Sequence, residues 1–133
     1  MRVLALDYGS ARWGCAVSDP TGTLATPIAP VLRPASRKGF AALTALVRER
    51  EVGRVVVGLP LGLSGEDTSQ TREARAFAAH LGAALDVPVD LYDERFTTAI
   101  AQRAGGTAAS EDSRAAAVLL EDWLARHGSE VGG

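Results

Sequence analysis

Val3-Leu4-Ala5-Leu6-Asp7-Tyr8-Gly9-Ser10-Ala11-Arg12-Trp13-Gly14-Cys15-Ala16-Val17-Ser18-Asp19 opens the chain as an apolar run, an aspartate, a glycine turn and a second apolar run. Strand-forming residues before Asp7 and after Gly14 predict two paired strands. Gly9, with polar Ser10 beside it, supplies the backbone freedom that the reversal needs. Asp7 therefore ends a strand, where a rigid scaffold gives a site its precision. The rest of the chain can be asked what it brings to that carboxylate.

With 133 residues, 47% of them hydrophobic and 23% charged, the composition predicts one globular domain over 1–133. No apolar run is long enough for a membrane span, and the start has no signal-peptide layout, so a cytoplasmic location and no membrane partner are expected. One cysteine, Cys15, leaves no internal disulfide and no multi-cysteine zinc site; in an apolar strand it reads as a buried, inert thiol. The net charge of −2 neither requires nor excludes a polyanion. Positive charge is nearly all arginine, Lys38 being the single lysine. Arginine suits bidentate phosphate contacts, but genomic base composition produces the same bias.

Taken in order, residues 2–7 and 11–18 form the first two strands. Leu24 to Leu32 reads as a third, edge strand because Pro27 and Pro30 interrupt it. Ser36 caps a helix to about Arg50, marked by Phe40, Leu43, Leu46 and Val47. Arg54-Val55-Val56-Val57-Gly58 lacks alternation, as in a parallel strand covered on both faces. A glycine-rich, apolar loop over 58–65 leads to a helix from about Thr68 to Leu85. Pro88 to Glu94 is a strand ending in two acids. Thr97 or Thr98 caps a short helix stopping at Gly105-Gly106, and Ser110 caps the last helix, to about His127. Gly128 to Gly133 reads as a frayed tail. The predicted fold class is α/β: a mixed five-stranded sheet, three antiparallel then two parallel strands, flanked by helices on both faces.

Sheets of this kind gather ligands at the carboxyl ends of their strands, where Asp7 and the pair Asp93 and Glu94 fall. Asp112 heads a helical stripe with Ala116, Leu119 and Trp123, and a carboxylate on such a stripe needs a partner or a metal. Each acid has a plain structural role as well. Asp7 could cap the turn, Asp93 and Glu94 could pair with Arg95, and Asp112 could complement the helix dipole. Together at one sheet end they repel unless a cation sits among them. Hard oxygen donors of this sort suit Mg2+ or Mn2+. Two ions roughly 4 Å apart can activate water and stabilise the leaving oxygen of a phosphodiester. Arg12, Ser18, Arg95, Thr97 and Thr98 cluster in sequence around the acids and are candidate phosphate contacts, with capping and ion pairing as their plainer roles. Tyr92, Trp13 and Trp123 read as core or strand-surface residues. His80 and His127 lack metal-ligand spacing.

At these residues the chain resembles the YqgF/RuvX family, small ribonuclease H-like proteins described as pre-16S ribosomal RNA nucleases or Holliday-junction resolvases. The matching segments are Asp7 to Gly14 running on to Ser18-Asp19, Val56-Val57-Gly58-Leu59-Pro60, Asp93-Glu94-Arg95-Phe96-Thr97-Thr98, and Asp112 to Leu120. They fall in family order across nearly the whole chain. The resemblance implies a ribonuclease H-like nuclease with acidic metal ligands at Asp7, Asp112 and Glu94, with Asp93 as the alternate. It also implies Mg2+ or Mn2+ as cofactor, and nucleic acid as partner, either pre-rRNA within 5′-end maturation on a ribosomal particle or branched DNA. Two departures stand out: Gly62-Leu63-Ser64-Gly65 lacks the asparagine or aspartate common in that loop, and Arg114 replaces a usually apolar residue. A trimming enzyme can act as a monomer, whereas a junction resolvase should be a homodimer. Two other classes compete. One is a phosphate-binding module of the actin and sugar-kinase type, which needs two such lobes; the other is a non-catalytic RNA- or protein-interaction domain on an old nuclease fold.

Overall fold

The computed structural model describes residues 1–9, 11–59, 68–93 and 108–131, with side chains of the last helix described over 113–127. Five strands, β1 (Arg2–Asp7), β2 (Arg12–Ser18), β3 (Ala25–Leu32), β4 (Val52–Leu59) and β5 (Val89–Asp93), make one sheet in the order β3-β2-β1-β4-β5. β1 pairs antiparallel with β2 and β2 antiparallel with β3, while β4 runs parallel to both β1 and β5. Three helices are described: α1 (Arg37–Glu49), α2 (Ser69–Ala84) and α3 (Ala108–Val131). The predicted mixed sheet is therefore present, with β3 and its prolines on the edge.

Each sheet face has its own core. Leu4, Leu6, Cys15, Val55 and Val57 point to one side and pack with Leu43 of α1 and Phe77 and Leu81 of α2. Val3, Ala5, Ala16 and Val56 point to the other and pack with Ala116, Leu119, Leu120 and Trp123 of α3. Val55, Val56 and Val57 are all fully buried, which is why β4 shows no polar alternation. Trp13 is buried against Tyr8 and Phe77, with ring centroids 5.0 and 4.6 Å away. The central strands β1 and β4 are thus covered on both faces, and Asp7 emerges at the carboxyl end of β1.

Local signals explain the helix starts. Ser36 Oγ accepts from Gly39 N at 3.0 Å, and Thr68 and Thr71 form a reciprocal capping box. The last helix differs from expectation. It begins at Ala108, so Ser110 lies inside it rather than capping it; alanine's high helix propensity carries the helix back over Ala108 and Ala109. It also continues to Val131 past a non-helical residue at His127 (φ −123°, ψ 17°), so the expected frayed tail is helical in its first part. His127 stacks on Trp123 at 4.7 Å, and His80 lies tilted against Phe40 at 4.4 Å. The predicted short helix after Thr97 lies outside the described residues. Among the described residues no helix is long and apolar enough to cross a membrane.

Candidate active site at the carboxyl end of the sheet

Asp7 is the last residue of β1 and half-buried. Its β2 partner is Gly14, so no side chain stands beside the carboxylate on that side. The turn behind it needs glycine for a steric reason: a Cβ on Gly9 would stand 2.0 Å from the Arg12 carbonyl oxygen. Strand alternation puts Asp7 on the face of Val3 and Ala5, the face that α3 covers.

α3 brings its N-terminal part back to this end. Ser113, buried, donates its hydroxyl to the Ile28 carbonyl and accepts from Cys15 N at 3.3 Å. Cys15 is the β2 partner of Leu6, the residue before Asp7. Farther along α3, the ring of Trp123 lies 5.8 Å from the Arg54 guanidinium, near the start of β4. The helix therefore runs against the direction of β1, and residue 112 immediately precedes the anchor at Ser113. The described members of the predicted stripe, Ala116, Leu119 and Trp123, are buried. The Asp112 side chain itself lies outside the described side chains.

The acid pair after β5 divides by face. Tyr92 packs with the α3 core and donates its hydroxyl to Asp122. Asp90, two residues earlier on the same side, pairs with Arg54. Val89 instead packs with the α1/α2 core. Alternation then sets Asp93 on the α1/α2 side, opposite the face of Asp7. Asp93 is in the right strand and at the right end but on the wrong side of the sheet. Glu94, Arg95, Thr97 and Thr98 lie outside the described residues. Among the described residues no three His, Cys, Asp or Glu side chains gather into a metal cage.

Of the expected phosphate contacts, Arg12 is exposed at the Asp7 end of β2. Ser18 is a correction. Val17 pairs with Leu4, so Ser18 is level with Val3, about 13 Å from Asp7 by strand rise. It is buried, accepts from Val3 N at 2.8 Å and donates to the Asp19 carbonyl at 3.1 Å. It closes the opposite end of the sheet. Asp19 beside it organises the β2–β3 turn, its carboxylate taking the Thr21 hydroxyl and the amides of Leu24 and Thr23. Those bonds hold its carboxyl well below the usual range.

Burial pushes the Cys15 thiol up to about 12, and the Asp7 carboxylate adds to the rise. The cysteine is fully buried, as expected for an inert thiol. Tyr8, next to Asp7, donates its hydroxyl to Glu73 of α2; that bond, then burial, raises it to about 12. Two residues near this end of the sheet are not singled out by the sequence reading. Ser113 is the polar member of a buried helix stripe with Ala117, Leu120 and Leu124, a spacing that could have drawn attention to it. Arg33, in the left-handed region at φ 44°, follows β3 next to Arg12 and is not marked by any motif.

A mixed sheet of this order, covered on both faces, is of the ribonuclease H-like fold class. Two solved structures share the architecture: Thermus thermophilus RuvC, alone and in complex with a Holliday junction substrate. Each has a TM-score of 0.57 at 16% identity, covering 96% and 97% of this chain and 97% and 98% of theirs. The family model "RuvX: Holliday junction resolvase" matches residues 1–126, and the chain belongs to that family of nucleases. Its relatives include the "Putative pre-16S rRNA nuclease" of Maridesulfovibrio salexigens, 40% identical over 95% of this chain and 99% of its own. The protein of the same description from Anaeromyxobacter sp. (strain Fw109-5) is 43% identical over 93% and 96%.

Proposed function

We propose that this nuclease is metal-dependent and cuts phosphodiester bonds of pre-16S ribosomal RNA during 5′-end processing, in the cytoplasm and on a ribosomal particle. One observation carries the metal-site reading: Asp7 stands on a rigid strand end, on the same sheet face to which α3 returns residue 112. Asp7 and Asp112, with Glu94, are hard oxygen donors that fit Mg2+ or Mn2+. The face assigned to Asp93 by strand alternation favours Glu94 over it as the third ligand. When bound, the metal supplies Lewis acidity and lowers the pKa of a coordinated water.

The chain's own groups set up the rest. Asp7 is held by a β1 strand buried on both faces, so its carboxylate need not reorganise when substrate arrives. Arg12, exposed at the same end, is suited to a phosphate oxygen, and Arg95, Thr97 and Thr98 are further phosphate contacts in this reading. Ser18 is dropped. Relatives at 40% and 43% identity over nearly the full chain favour ribosomal RNA over branched DNA as the substrate.

The test uses end-labelled structured RNA and a four-way DNA junction, each with Mn2+, Mg2+ or EDTA. Cleavage of the RNA that needs metal and falls at least about 100-fold in Asp7→Asn is expected, since a ligand matters more than its outer-shell partners. Unchanged metal-dependent cleavage in Asp7→Asn refutes the site. Junction cleavage by a dimer, with the RNA left whole, refutes the substrate.

A further inference from the structure

We infer that the groove between β3 and α1 carries a phosphodiester backbone into the Asp7 end of the sheet, with Arg33 and Lys38 as its phosphate contacts. The inference rests on the nucleic-acid reading above and adds to it two cations that no motif marks.

The groove encloses about 920 Å³, and its wall at the Asp7 end includes Arg12, Arg33, Ser36 and Lys38. Register places it there: Leu32, the last residue of β3, pairs with Arg12, and Arg33 N donates to the Ala11 carbonyl at 2.8 Å. The acid in the wall is Glu49, eleven residues beyond Lys38 on α1 and about 16 Å away along the helix. Among the described residues neither Arg33 nor Lys38 forms an ion pair. Three cations at one end of a groove, in a chain of net charge −2, are a local arrangement and not a by-product of a basic protein.

The backbone at Arg33 is built rather than loose. Its φ of 44° lies in the left-handed region, where asparagine or glycine sits at less cost. The conformation is over-determined. The Arg33 carbonyl accepts both Ser36 N at 2.9 Å and Ser36 Oγ at 2.7 Å. The first turn of α1 is pressed against it so closely that a Cβ on Gly39 would stand 2.0 Å from that same oxygen. A strained, pinned residue whose exposed side chain is a cation matches the use of strain to aim a functional group. Polyanion is the ligand that this charge pattern complements, and a groove open to solvent with its cations at the Asp7 end suits a strand of phosphates.

The test is the salt dependence of binding, measured by fluorescence anisotropy in EDTA so that no cleavage is needed. The probes are a labelled single-stranded RNA and a labelled four-way DNA junction, which distinguish the two sources of backbone. Arg33→Asn keeps a residue that tolerates the left-handed backbone. It is expected to reduce the slope of log K against log salt by about 0.7 on single strands, and Arg33→Asn with Lys38→Gln by about 1.4. Arg33→Lys should restore the slope. Arg48→Gln removes an exposed cation of α1 outside the groove and should leave the slope alone. Unchanged slopes in the double variant, or an equal loss in Arg48→Gln, overturn the inference while the nuclease reading stands. A wild-type protein that binds neither probe overturns both.

Discussion

Replacing Ser113 by alanine probes the joint that fixes α3 on the sheet. β2 and β3 lose register between Trp13 and Cys15: Trp13 pairs with Val31 but Cys15 with Ile28, so β3 carries an extra residue there. The Ser113 hydroxyl bridges two backbone groups beside this bulge, the Cys15 N–H and the Ile28 carbonyl. Ser113 is buried, at 2% exposure, so water does not readily replace it. Each buried backbone group left unsatisfied costs about 1–3 kcal/mol. The bond to Cys15 is long at 3.3 Å and belongs near the lower bound. Alanine recovers roughly 0.5 kcal/mol through helix propensity. The net expectation is a loss of about 2–3 kcal/mol in urea denaturation with an unchanged m value, and a melting temperature lower by roughly 6–12 °C. A loss below about 0.5 kcal/mol would refute the reasoning. In that case the bulge satisfies itself and α3 is held by its apolar stripe alone.

Gly9→Ala drives a Cβ into the Arg12 carbonyl oxygen at 2.0 Å, so it should destabilise by more than about 1 kcal/mol and reduce cleavage by moving Asp7; a stable, fully active variant refutes the tight turn. Cys15, fully buried with its thiol raised to about 12, should react with a thiol reagent only after unfolding, and a reagent titration of native protein checks this. Tyr8 and Tyr92 are both raised to about 12, against 10.0 in the unfolded chain. Between those values the native state binds more protons than the unfolded state, so stability present below pH 10 falls as pH rises towards 12. Ultraviolet titration of native protein should show little tyrosinate before pH 11, and the denaturation midpoint should drop across the window.

Strands, helices and their order were legible because they rest on local physics. Period-two and period-3.6 patterning, the Gly9 turn and the prolines of β3 each act within a few residues. The place of Asp7 was legible in the same way, since a strand end follows from spacing. Roles that join distant segments were not. Ser18 is near Asp7 in sequence, yet an antiparallel strand of seven residues carries it to the far end of the sheet. Asp93 and Glu94 are equivalent as text, and the side of the sheet on which Tyr92 meets α3 is what separates position 93 from Asp7.

Local patterning and motif order were enough for the α/β class, the strand that ends in Asp7 and the family to which the chain belongs. Tertiary structure alone decided that Ser113 holds α3 on a bulge 85 residues away, that Asp93 falls on the α1/α2 face, and that Arg33 turns beside Arg12 at the Asp7 end. The physical reason is range. Patterning acts through neighbours along the chain, whereas register, sheet face and helix direction are set by packing between elements that sequence separation does not order.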